Sequence, residues 1–134
     1  MYLWLKLVDK WADGPTTYLG AMVAGFPNLF MIHGPMTPAA QAQMITTGEW
    51  QVNWTAAIID DMEREGLSLI DTTLEAEYGW AYETDSVSQH SVHRYADSWY
   101  NGKNIAGKKC GFMIYVGGFS RYASLCTEAV QDNY

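Results

Sequence analysis

Three histidines, two cysteines and a run of carboxylates are the side chains in this sequence with the chemistry for catalysis or metal binding. His90 and His93 stand at a spacing that can hold zinc. No third and fourth ligand follows at a supporting spacing, so both read as solvated side chains and no metal site is assigned. Neither Cys110 nor Cys126 has a base beside it in sequence. His33 closes an apolar run, where an imidazole is more often a core or rim residue than a base. Asp60, Asp61, Glu63 and Glu65 read as the solvated face of a helix. The chain has no G-x-G-x-x-G, no G-x-x-x-x-G-K-[ST], no H-E-x-x-H and no C-x-x-C. On residue types and spacing alone, no catalytic set is assigned.

The 134 residues fit one domain, and 49% hydrophobic content with six Trp and nine Tyr supplies enough apolar surface to exclude a wholly disordered chain. A net charge of −7 and a pI near 4.7 argue against a nucleic-acid partner or an anionic membrane surface. The opening MYLWLKLV is interrupted by Lys6, Asp9 and Lys10. It is far short of the roughly 20 apolar residues of a spanning helix, and it has neither a basic leader nor a small-residue cleavage site. A cytoplasmic location is the default, with both thiols reduced. Asn53-Trp54-Thr55 is then a chance match to the glycosylation pattern.

The positioning elements follow from periodicity. Dense Gly and Pro punctuation makes residues 9–27 mostly loop. Residues 28–32 (NLFMI) read as a buried strand ending in the His33-Gly34-Pro35 turn, followed by an irregular segment over 36–45. Thr46 with Glu49 forms a capping box, and Trp50, Trp54, Ile58 and Met62 recur at spacing four in a helix closed by Gly66. Residues 67–70 add a short strand. A second helix opens with Thr72 and Glu75 and turns Leu74, Tyr78 and Ala81 to the core, with Gly79 as a weak point. Residues 84–93 are polar and aperiodic, and 95–109 form a long ordered loop. Residues 112–116 (FMIYV) are a second strand candidate, and Tyr122, Leu125, Cys126, Ala129 and Val130 mark a third helix. The fold class is α+β, with short strands, about three helices and long loops.

Four ordered blocks add a likeness: DGPTTYLG at 13–20, GFPNLFMIHGP at 25–35, ADSWYNGKNIAGK at 96–108, and YVGGF at 115–119 with Tyr122. Between them stand Glu49-x-x-Val52-x-Trp54 and Thr73-x-x-Ala76-Glu77. Together they resemble the C-terminal portion of flavin-dependent Baeyer–Villiger monooxygenases, the group of cyclohexanone, phenylacetone and steroid monooxygenases. The resemblance implies the second part of an FAD-binding domain, plus a C-terminal lid and loop region, in a flavoprotein with two dinucleotide-binding domains. Residues 1–134 are then a single unit. Such an enzyme uses FAD and NADPH to insert one oxygen atom of O2 beside a ketone carbonyl, giving an ester or lactone.

By that resemblance Gly34, Pro35, Met44 and Trp99 are cofactor-binding positions. Pro38, Ala40, Gln41 and Met44 line the substrate pocket, with the Met44 backbone near the isoalloxazine and Trp99 in a loop closing over the nicotinamide. The family's glycine-rich FAD and NADP fingerprints and its catalytic arginine have no counterpart in these residues. No catalytic residue is therefore assigned, and the chain alone is expected to be inactive, with a missing N-terminal segment as a partner. Ala39, Gln41, Ala42 and Gln43 depart from the family's usual Ser, Leu and Asn, which leaves the ketone open. Two other readings stand beside this one: a non-catalytic truncated protein or interaction module, and a related flavin monooxygenase acting on nitrogen or sulfur. As a fragment, the chain is expected to leave Trp50, Trp54 and the strands without covering partners.

Overall fold

The computed structural model describes residues 5–39, 43–103, 106, 107, 109 and 111–132. In chain order these form α1 (Leu7–Lys10), β1 (Thr37–Pro38), α2 (Met44–Glu65), α3 (Leu74–Ser88), two 3-10 turns (Val92–Tyr95 and Trp99–Asn101), β2 (Ile114–Tyr115) and α4 (Phe119–Gln131). β1 and β2 pair in parallel, with Thr37 opposite Ile114 and Pro38 opposite Tyr115. Pro38 is tolerated because a two-stranded sheet has only edge strands. This small pair and the three long helices make an α-rich unit.

α2 carries the expected apolar stripe. Trp54 and Ile58 are buried, and Trp50 and Met62 pack against the core from its rim. Gly66 ends the helix at φ 70°, the left-handed closure that glycine adopts without a Cβ penalty. The start differs from expectation: the helix begins at Met44, its N-cap is Gln43, and the Gln43 side chain makes no capping hydrogen bond. Thr46 instead lies within the first turn and donates to Gln43 Oε1 at 3.3 Å.

The expected loss of cover over Trp50 and Trp54 does not occur, because α4 of the same chain lies on them. Trp50 meets Phe119 and Tyr122 edge-on, both at 5.8 Å between centroids, and the Trp54 indole donates to the Cys126 carbonyl at 3.3 Å. Tyr122, Cys126 and Ala129 are the buried face of α4, in line with its expected stripe. Burial pushes the Cys126 thiol up to about 12. Cys126 is thus expected to resist alkylation by iodoacetamide at pH 8 in the native protein and to react once unfolded, as read by peptide mapping of the modified site. The sign for stability also follows: a folded-state pKa raised above the unfolded 9.0 means that the native state holds its proton longer. Stability then declines as pH climbs from 9.0 through about 12, measurable as a falling denaturant midpoint. Tyr115 and Tyr122 are shifted the same way, in each case chiefly by burial.

α3 departs most from its expected face. Thr73, not Thr72, caps it, accepting from the Ala76 N–H at 3.1 Å. The core side is Glu77, Trp80, Thr84 and Ser88, while Leu74 and Tyr78 face outward and Ala81 is half-buried. The reason is the buried Glu77 carboxylate, only 1% exposed. It accepts from Ala24 N at 2.7 Å and Thr16 Oγ1 at 2.5 Å and pairs with Lys10 Nζ at 3.1 Å. Satisfying that charge fixes the rotation of the helix. α3 also runs to Ser88, through residues expected to be loop. Nothing lies within 4 Å of the Cβ that Gly79 lacks, so Gly79→Ala is expected to raise stability by about 0.5–1 kcal/mol in chemical denaturation.

Residues 28–32 and 67–70, expected as strands, form no ladder, since a strand needs a neighbour for its N–H and C=O groups, and Asn28 turns left-handed at φ 60°. They are joined through Asn28, whose N–H donates to Ile70 O at 2.9 Å and whose side chain bonds Ser68 O and Ile70 N, each at 3.0 Å. Among the described residues no helix is long and apolar enough to cross a membrane. No group of three or more His, Cys, Asp or Glu side chains among them comes together as a metal cage.

Candidate functional site

The His33–Thr37 turn is held in an unusual backbone by four separate segments of the chain. His33 (φ 55°) and Met36 (φ 68°) are both left-handed without being glycine, which costs about 1–2 kcal/mol per residue. Buried hydrogen bonds offset this. The His33 N–H donates to Gln51 Oε1 of α2 at 2.8 Å, and the Met36 N–H donates to the Met113 carbonyl at 2.7 Å. The Met36 carbonyl accepts from Trp80 Nε1 of α3 at 3.2 Å, and the Pro35 carbonyl accepts from Thr17 Oγ1 at 2.7 Å. Thr37 Oγ1 also donates to the Gly34 carbonyl.

Gly34 could not carry a side chain. A Cβ there would meet the Gly20 carbonyl oxygen, with Met31 Cβ at 3.0 Å behind it. Gly48 in α2 has a similar role, because a Cβ on it would stand 2.8 Å from His33 Nε2. The His33 ring therefore packs against the start of α2, with Nε2 2.7 Å from the Met44 carbonyl oxygen. Its Nδ1 is buried with no hydrogen-bond partner among the described residues.

Trp99 reaches the same place from the long loop. The loop is folded by Asn101, 5% exposed, whose amide donates to the carbonyls of His93 at 3.0 Å and Ala96 at 2.7 Å. The Met113 N–H, donating to the Tyr100 carbonyl at 2.8 Å, then ties the loop to β2. Trp99 lies against Tyr100, with centroids 4.3 Å apart, and stays 56% exposed.

These elements surround one cleft of about 230 Å³. Of the positions named from sequence, Gly34, Pro35, Pro38, Met44 and Trp99 all line it. Ala40 and Gln41 lie outside the described residues, as does Cys110. The cleft also has walls that sequence reasoning did not name as site residues: His33, Thr37, Ala39, Met113 and Ile114. His33 was legible only as a rim residue, and the rest come from the parallel pairing of β1 with β2, which no local pattern announces. His93 packs edge-on to Tyr100 at 5.8 Å between ring centroids.

The lining is mostly apolar, with the N-terminus of α2 at its edge. Such an end offers unpaired backbone N–H groups and a partial positive charge to an electronegative ring atom. A volume near 230 Å³ suits one heteroaromatic ring system rather than a whole dinucleotide.

Comparison with known proteins agrees in sequence and in fold. The chain is 36% identical over 126 residues to a Baeyer–Villiger monooxygenase of Pseudooceanicola batsensis, covering 94% of this chain and 23% of that protein. Its backbone superposes on cyclohexanone monooxygenase from Rhodococcus sp. Phi1 bound to NADP+ with a TM-score of 0.92 and 34% identity, over 97% of this chain and 24% of that one. The chain is a homologue of the Baeyer–Villiger monooxygenases. It is also 34% identical, over 96% of its length and 23% of the relative's, to a phenazine N-monooxygenase of Lysobacter antibioticus. The enzyme OTEMO, in complex with FAD and NADP, matches at a TM-score of 0.85 and 28% identity, over 97% of this chain and 24% of that one. The chain thus spans about a quarter of the length of the monooxygenases it matches. No family-level sequence model matches it.

Proposed function

We propose that residues 1–134 are the C-terminal part of the FAD-binding domain, with the adjoining lid loop, of a two-dinucleotide-domain monooxygenase. The protein would use FAD, NADPH and O2 to convert a ketone into an ester or lactone. The observation that carries this reading is the meeting of the Gly34-Pro35 turn, the start of α2 at Met44 and the loop tryptophan Trp99 around one cleft.

The cleft fits a flavin ring on two counts. Gly34, Pro35 and Pro38 give it an apolar wall for a ring face, and the start of α2 at Met44 brings backbone N–H groups and a partial positive charge to the ring's polar edge. Reduced by NADPH, bound FAD would supply the O2 activation and oxygen transfer. The residues of this chain have a different part. The His33–Thr37 turn sets one wall, Met44 presents backbone to the ring, and Trp99 covers the cleft and excludes water. Pro38 and Met44, with Ala40 and Gln41 between them in sequence, would face the ketone. These residues supply no acid, base or nucleophile to the chemistry. The segments carrying the dinucleotide fingerprints act as partner to this unit, and NADPH consumption suits a cytoplasmic location.

The test is to assay the protein that carries these residues, as its gene encodes it, for ketone-dependent NADPH oxidation, with products identified by mass spectrometry. Ester or lactone formation supports the reading. The N-monooxygenase relative favours a second reading, oxygenation of an aromatic nitrogen, for which an N-oxide from a phenazine would replace the ester. Neither product, with no FAD bound, would favour a non-catalytic interaction module.

A further inference from the structure

Behind the cleft runs a chain of buried hydrogen bonds with no part in binding a ring directly. The His33 N–H donates to Gln51 Oε1 at 2.8 Å, Gln51 Nε2 donates to the Tyr122 hydroxyl at 2.7 Å, and that hydroxyl donates to the Leu19 carbonyl at 2.7 Å. Gln51 and Tyr122 are both 0% exposed. The ends of the chain dictate its direction. A backbone N–H at His33 can only donate and a carbonyl at Leu19 can only accept, so the amide of Gln51 has one permitted orientation.

Both ends are also strained. Leu19 and His33 each hold φ 55° without being glycine, and each is followed by a glycine that packs on the other turn. The Gly20 carbonyl occupies the space where Gly34 would carry its Cβ. The relay therefore ties two left-handed turns together across α2 and α4. Position 51 falls on the core stripe of α2 with Trp54 and Ile58, where local pattern calls for an apolar residue. A buried amide costs free energy unless it is fully bonded, and here both of its ends are used.

We propose that Gln51 is a positioning residue for the flavin-facing turn, holding His33 and thereby Gly34-Pro35 at the distance from the ring that binding requires. This rests on the flavin reading given above. It is tested with Gln51→Met in the FAD-loaded protein encoded by the gene. The expected results are a flavin dissociation constant raised by about tenfold, an altered visible circular-dichroism band of the bound flavin, and faster amide exchange at His33. Ile58→Val, on the same buried stripe but outside the relay, is expected to leave the flavin constant, the band and the His33 exchange rate unchanged. If Gln51→Met does not fold, Tyr122→Phe keeps the ring and removes only the hydroxyl. It is expected to shift the flavin constant and band in the same direction by about threefold. Faster His33 exchange with an unchanged flavin constant and band would overturn the positioning role and leave the flavin reading intact. A wild-type protein that binds no FAD would overturn that reading and this inference with it.

Discussion

Glu77→Ala is expected to destabilise the protein by about 3–5 kcal/mol, read as a shifted urea midpoint or as failure to fold. The carboxylate is 1% exposed and holds three groups at once: the Ala24 N–H, the Thr16 hydroxyl and the Lys10 ammonium. Truncation leaves the Lys10 side chain, itself only 10% exposed, as a nearly buried charge without this partner. The damage lies mostly in that residue charge and in the orphaned Ala24 N–H rather than in the lost attraction. Glu77→Gln keeps an acceptor for one donor and is expected to cost less, about 1–3 kcal/mol. Lys10→Met in the Glu77→Ala background should recover part of the loss, because it removes the uncompensated charge. A double mutant no more stable than Glu77→Ala would show that the pair is not coupled in this way.

Gly34→Ala is the substitution expected to damage flavin binding most. The new Cβ would strike the Gly20 carbonyl oxygen, a backbone atom that cannot rotate away. Either the 33–37 turn or the 19–20 turn must move, and the turns are clamped together by the Gln51–Tyr122 relay. A displacement of about 1 Å at such a wall is enough for a loss of roughly 100-fold. Equilibrium titration of flavin fluorescence is expected to show that loss. An alanine variant with wild-type affinity would mean that the turn does not border the flavin.

Much of this was readable from sequence, for reasons that differ element by element. α2 and α4 were legible because large apolar side chains recur at helical spacing, Trp50 to Met62 in one and Tyr122 to Val130 in the other, and each face is covered by the other. α3 has an apolar stripe as well, Leu74 with Tyr78, yet it points outward. What turned that helix was a single buried charge, and periodicity counts side chains without knowing which charge will find partners 53 and 61 residues away in sequence. The strand expected at 28–32 failed for a related reason: composition can favour an extended segment but cannot supply its neighbour.

The site was legible in a different way. Gly34, Pro35, Pro38, Met44 and Trp99 were named from likeness to a family and lie around one cleft. Nothing in their own types would have grouped residues 65 positions apart. Thr37, Met113 and Ile114 were missed because their place in the wall depends on the Thr37–Ile114 register. Gln51 was missed because a lone polar residue on an apolar helix face carries no sign of what it bonds.

The most direct measurement is the crystal structure of the gene-encoded protein with FAD and NADP bound. The account predicts an isoalloxazine ring against the Gly34-Pro35 turn, with a polar ring atom within about 3 Å of a first-turn N–H of α2 and Trp99 over the cleft. A flavin seated elsewhere, touching neither that turn nor the start of α2, would contradict it.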